Sequence, residues 1–257
     1  MIQDIIKEIR YGIRNNRFLI VLAGFLFFAI STPLMTKVVL PQILKSQFPG
    51  LSEQEMASML DLTQLGTIRS YMGDVFEIGS LIIAFTLCGL IAQEIRDNTL
   101  VLPLCSGKRI SGIVSAKMLV FGALLLLTPL TALVIDYLYA GVLFSFDIAL
   151  MPIVRAGLLQ GIYMVFLLAC LVLWGAIIKK PIAAGFLSLA TSFGLHFLGG
   201  LLDIHTWLPS GLLIDAQLLA VEPAPTLIWT LLITLAIILT MVWTAGLRLK
   251  KMEWNVR

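Results

Sequence analysis

Six stretches of this sequence are each apolar over about the 20 residues a helix needs to cross a bilayer: 18–36, 75–92, 118–140, 153–178, 182–202 and 226–247. No other feature limits the fold as tightly. Inside hydrocarbon a backbone must satisfy its own hydrogen bonds, and a helix does so within one segment. The composition points the same way. Hydrophobic residues make up 59% of the 257 and charged residues only 13%, about half the charge of an ordinary soluble domain. The expected fold is an all-α membrane protein of six transmembrane helices, built as one domain over residues 1–257. The fourth run is long for a span, so its first turns belong in the outer interface or the helix tilts. The run from Phe18 to Met35 has no small-residue cleavage site behind it, so it reads as a first span rather than a signal peptide.

Orientation follows from the basic residues. With the N-terminus in the cytoplasm, Lys7, Arg10, Arg14 and Arg17, then Arg96, Lys108, Arg109 and Lys117, then Lys179 and Lys180, then Arg248, Lys250, Lys251 and Arg257 all fall inside. That leaves Lys37, Lys45, Arg69 and Arg155 outside or within the bilayer. Both termini are therefore expected in the cytoplasm.

Residues 1–17 read as an amphipathic helix. Ile2, Ile5, Ile6, Ile9 and Ile13 recur at helical spacing opposite Lys7, Arg10, Arg14 and Arg17, a pattern suited to the inner interface. The first outer loop, 37–74, carries Ser52 and Glu55 as a capping box before a short amphipathic helix. The semi-apolar loop at 203–225 is expected to lie against the outer interface.

Several chemistries are disfavoured. "SGKRIS" at Ser106–Ser111 lacks the spacing of a nucleotide P-loop. Cys88, Cys105 and Cys170 give no disulfide framework. His196 and His205 have no partners at zinc-ligand spacing, so no metal site is expected. His196 reads as a packing residue and no nucleophile constellation is evident, so an enzyme is not expected. Gly157 and Gly161 form a G-x-x-x-G suited to close helix approach, and Pro129 is a candidate break in the third span. Ionisable groups near spans are suspects by default: Glu77, Asp136 and Arg155 lie towards the outer helix ends. They suit an ion pair between Asp136 and Arg155, snorkelling to the headgroups, or contact with a substrate.

The elbow at 93–117 is longer than a connection requires. Glu94, Arg96 and Asp97 leave the second span, Thr99 to Leu104 is apolar but too short to cross, and Ser106 to Arg109 turn the chain. Such a helix buries its apolar face on lipid or in a partner's groove.

At these residues the chain resembles the permease subunits of bacterial ABC transporters of the type-2 exporter class. The resemblance spans the chain and rests on the N-terminal amphipathic segment, the six spans, the long first outer loop and the elbow. In the elbow the family carries a Glu after the second span, Thr-Leu, a hydrophobic helix, a small-residue turn with a basic residue, and a Lys opening the third span. Here these are Glu94, Thr99 and Leu100, Val101 to Leu104, Ser106 to Arg109, and Lys117. Asn98, Gly107 and Ala116 stand where the family has Gly, Pro and Gly.

The resemblance implies that the elbow is a cytosolic coupling helix, with Glu94, Thr99, Leu100, Leu102, Leu104, Lys108 and Arg109 meeting a separate ATPase. It further implies two permease copies above two ATPase copies in a bacterial inner membrane. ATP and Mg would sit on the partner, with no cofactor in this chain and no nucleic acid involved. The substrate would be hydrophobic or amphipathic: a membrane-active (antimicrobial) peptide, a lipid-like molecule or a drug. The alternatives are an exporter of sodium ions, a self-sufficient channel or secondary transporter, and a scaffold or immunity protein.

Overall fold

The computed structural model describes residues 2–47, 61–220 and 225–252. These residues contain helices and no strand. Six helices are long and apolar enough to cross a membrane. Helix α1 covers Ile2–Arg14. The first span is α2 (Arg17–Leu34), which runs through a π-turn at Met35–Val39 into α3 (Leu40–Gln47). The second is α4 (Gln64–Asp74), a π-turn at Val75–Gly79, α5 (Ser80–Leu87) and α6 (Gly89–Arg96). After the short α7 (Val101–Cys105) come α8 (Ile110–Leu143), α9 (Leu150–Ile178) and α10 (Pro181–Leu202), then α11 (Gly211–Leu218) and α12 (Leu227–Lys250).

The first two spans extend well past their apolar windows. Helical hydrogen bonding does not need apolar side chains, so polar positions such as Lys37, Lys45, Arg69 and Ser70 stay helical. The predicted outer loop therefore shrinks from both sides. The Ser52–Glu55 cap falls outside the described residues. The hydroxyl of Thr63 caps α4, accepting from the Gly66 N–H at 3.1 Å. Pro129 sits inside α8 without ending it. At the turn after α9, Lys179 takes a left-handed φ of 61° and Pro181 opens α10, the usual grammar of a helix stop and start.

Helix α9 is the centre of the bundle. Its apolar window is 67% buried, against 28% for the first span, 33% for the fifth and 22% for the sixth. The loop before α12 does not simply lie outward: α11 turns Leu212, Leu213 and Ala216 into the core. Gln64 ties the far end together. Its amide nitrogen donates to the Tyr137 carbonyl at 3.2 Å, and its oxygen accepts from the Asp147 N–H at 2.9 Å.

The α8–α9 contact depends on two missing side chains. A Cβ on Gly157 would lie 2.9 Å from Leu130 Cα, and one on Gly161 would lie 2.7 Å from the Leu126 carbonyl oxygen. Both obstacles are backbone, so no rotamer relieves them. Gly161→Ala is expected to lower stability by about 1–3 kcal/mol, the usual cost of overpacking. Gly246→Ala in α12 is the control. A Cβ there meets nothing within 4 Å, so the change is expected to stabilise by up to about 1 kcal/mol. Thermal unfolding in one detergent measures both.

Candidate functional site: a charged junction beneath the elbow

A small second core gathers the elbow end of the bundle. Ile91 and Ile95 of α6, Leu100, Ile113 and Val114 of α8, Val172 and Ala176 of α9, and Ala245 and Leu249 of α12 pack together. The α1 helix lies at this same end, because it leads directly into α2 and pairs with α8 through Lys117.

The elbow takes its shape from local hydrogen bonds. Asp97 N–H donates to the Gln93 carbonyl at 2.8 Å, and Thr99 N–H donates to the Glu94 carbonyl at 3.0 Å. The Thr99 hydroxyl reaches the same carbonyl at 3.3 Å. Asn98 makes the turn between them at φ 53°, a left-handed position that suits Gly or Asn. Gly107, at φ 82°, makes the second turn.

The sequence predicts that the apolar face of the elbow is buried on lipid or on a partner. The structure divides that face. Leu100 is only 4% exposed and Leu104 packs beside it, both against the second core. Leu102 points the other way and is 79% exposed. The elbow is thus anchored by two leucines and presents the third.

Below it sits a buried ion cluster. Lys117, in the second turn of α8, is 0% exposed. Its Nζ lies 2.9 Å from Glu94 Oε1 of α6 and 2.9 Å from Glu8 Oε2 of α1. Lys7 Nζ stands 3.9 Å from both carboxylates. The Tyr11 ring lies 5.8 Å from Lys117 Nζ and carries the Arg17 guanidinium 4.7 Å from its centre. A buried ammonium needs such partners, because an unpaired charge out of water is very costly. The cluster ties α1, the end of the second span and the start of the third to one atom.

Glu8 was not singled out in the sequence. The signal was present: Asp4, Glu8 and Tyr11 recur at helical spacing and share a face. That face turns inward, with Glu8 and Gly12 buried, while Ile2, Ile6, Ile9 and Ile13 face out of the bundle. A Cβ on Gly12 would meet the Phe18 ring at 2.4 Å, so glycine lets the α1–α2 corner close.

Lys108 forms an ion pair with Asp4, a second link between elbow and α1. The Lys108 ammonium holds the Asp4 carboxyl below its ordinary value of 3.8. A lowered carboxyl stabilises the fold above its unfolded value and loses that contribution as pH falls through the folded one. Asp4→Asn is therefore expected to unfold earlier than the parent at neutral pH. The difference should vanish once acid has protonated Asp4. Melting curves across pH test this. Arg109, the remaining basic residue of the turn, is exposed and precedes α8.

The three suspects at the other end do not converge. Glu77 is exposed on the second π-turn. Arg155 donates to the Ala220 carbonyl and moderates the Asp215 carboxyl, which burial pushes up. Asp136 is 0% exposed, and neither of its carboxylate oxygens has a hydrogen-bond partner. The expected Asp136–Arg155 pair does not form, nor does Asp136 snorkel. Helix α9 turns Arg155 towards the chain after α11, and Asp136 faces inward. His196 stacks 4.7 Å from the Phe76 ring. Among the described residues, no three His, Cys, Asp or Glu side chains group to hold a metal ion.

Comparison with family models, curated proteins and solved structures finds no match to this chain.

Proposed function

We propose that this chain is the membrane-spanning subunit of an ATP-driven exporter of the ABC type, moving a hydrophobic or amphipathic substrate with energy from a separate ATPase. The observation that carries this reading is Leu102. It is a large apolar side chain, 79% exposed, on a short helix held to the second core by Leu100 at its start and Leu104 within it. It lines one cleft with Lys7, Tyr11 and Glu94, at the end of the bundle where basic residues collect. A push on the elbow is carried by contiguous packing and ion pairs to α1, α6 and α8.

In this reading the basic end faces the cytoplasm of a bacterial cell, both termini lie there, and ATP and Mg stay on the partner. Two copies of the chain stand side by side. The lightly buried first, fifth and sixth spans leave surface for lipid and for the second copy. ATP binding shifts the population between inward- and outward-open arrangements.

The test is co-expression with the products of neighbouring genes, purification in mild detergent, and reconstitution into vesicles. An ATPase travelling with this chain, with flux that requires ATP, supports the reading. Flux driven by a gradient alone supports a self-sufficient channel or secondary transporter instead.

A further inference from the structure

The least satisfied group in the bundle lies far from the elbow. Asp136 of α8 is 0% exposed, and both of its oxygens lack a hydrogen-bond donor among the described residues. On α4, which packs against α8, the Tyr71 hydroxyl is also buried and unpartnered. Tyr71 and Asp136 lie within electrostatic range of each other and of Asp74. Tyr71 and Asp74 sit three apart on α4 and so share a face.

The cations of the neighbouring elements are engaged elsewhere: Arg69 of α4 donates to the Gln217 carbonyl at 3.1 Å. Lys37, beyond α2, donates to the Leu143 carbonyl and lies over the Phe144 ring. Arg155 of α9 donates to the Ala220 carbonyl. The Tyr137 hydroxyl donates to the Ile148 carbonyl at 2.9 Å. No positive charge is left facing Asp136 among the described residues. An ionised carboxylate in such a place is the costliest state available to it, and taking up a proton removes the charge.

A cavity leads in as far as Asp74. It measures about 450 Å³ between the first two spans and is lined by Thr32, Asp61, Ser70 and Asp74 along with Phe27 and Met35. It lies at the end of the bundle opposite α1. Asp61 is exposed there, and the Thr32 hydroxyl donates to Asp74 Oδ2 at 2.8 Å. Acidic groups therefore lead from the surface towards the buried one.

We propose that Asp136 is a proton-binding site inside the bundle, loaded and unloaded through the Asp61–Asp74 vestibule from the side of the membrane opposite α1. The exchange is a simple association: one carboxylate oxygen gains a proton and the site becomes neutral. The neutral acid is compatible with the closed α4–α8 packing. The ionised form demands water or a donor, and so favours opening of that contact. This inference does not depend on the ATPase reading and holds equally for a gradient-driven transporter.

The experiment is pH-difference infrared spectroscopy on the full chain in phosphatidylcholine vesicles. The wild type is expected to show a carboxylic-acid carbonyl band at neutral pH, where exposed carboxylates are ionised. Asp136→Asn, a neutral isostere, is expected to lose that band while melting close to the wild type. Asp136→Glu is expected to move the band, which assigns it even where the asparagine variant folds poorly. Asp74→Asn should keep the band and slow its appearance severalfold after a pH jump.

No band at neutral pH, or a band unchanged in both Asp136 variants, overturns the proposal. Suppression of the band by sodium but not by choline also overturns it, in favour of a metal-cation site. An unchanged rate in Asp74→Asn overturns the vestibule route.

Discussion

Replacing Lys117 with methionine is expected to lower stability by about 3–5 kcal/mol, the penalty for removing one member of a buried ion cluster. The side chain length is nearly kept, so little packing is lost. What remains is the problem of Glu8 and Glu94, two carboxylates facing each other with their shared cation gone. Both must take protons, draw in Lys7 from 3.9 Å, or separate. Separation detaches α1 from the bundle. The triple variant Lys117→Met, Glu8→Gln, Glu94→Gln is expected to recover most of the loss, because neutral amides tolerate burial better than unpaired charges. Thermal unfolding of the parent, single and triple variants measures this. If the triple variant melts no later than the single one, the cluster is not held by charge pairing.

Leu102→Glu is expected to produce the opposite pattern. The side chain is 79% exposed, so melting should shift by no more than about 0.5 kcal/mol, as for other surface changes. If a partner covers it, the loss of one buried leucine weakens the complex by about 1.5–3 kcal/mol, roughly 10- to 150-fold in affinity. A buried unpaired carboxylate adds to that. The expected readouts are normal insertion, normal melting, loss of the co-purifying ATPase and loss of ATP-dependent flux. Leu100→Glu is the counterpart. It is only 4% exposed, so it should damage folding before function can be measured. Full ATP-driven flux in Leu102→Glu would remove the elbow from the proposed coupling path.

These two residues show what could be read from the chain and what could not. Hydropathy alone reveals six helices, because hydrocarbon enforces a continuous apolar surface over a set length. It stops short at Thr36 and starts late at Val75, since helix ends are set by hydrogen bonding and caps such as Thr63. It also cannot divide Leu100 from Leu102. Two positions apart at the start of a short helix, they face different surroundings, and only the tertiary packing of α6, α8, α9 and α12 decides which is inside.

Charge was legible by location but not by partner. Lys117 stood out at the mouth of the third span, and Glu94 at the end of the second. Glu8 lies in a helix whose pattern is dominated by its isoleucine stripe. The pairing of Asp136 with Arg155 was reasonable from their flanking of one short turn. It failed because Arg155 is directed at a main-chain carbonyl and Asp136 is enclosed.

The outward-facing isoleucines of α1 have a mechanical consequence. Ile2 is 75% exposed and Ile13 61% exposed from the bundle, and burying such side chains in an apolar medium is worth about 1.5–3 kcal/mol each. Between them stand Ile6 and Ile9. If α1 lies on a lipid surface, moving it into water forfeits that stabilisation, and sinking it deeper drags Lys7, Arg10 and Arg14 towards hydrocarbon. On a bilayer the helix would therefore float at one depth, as a keel does. In that placement Glu8, fastened to Lys117, would let the bilayer set the height of the junction, and thinner or more fluid lipid would reset it.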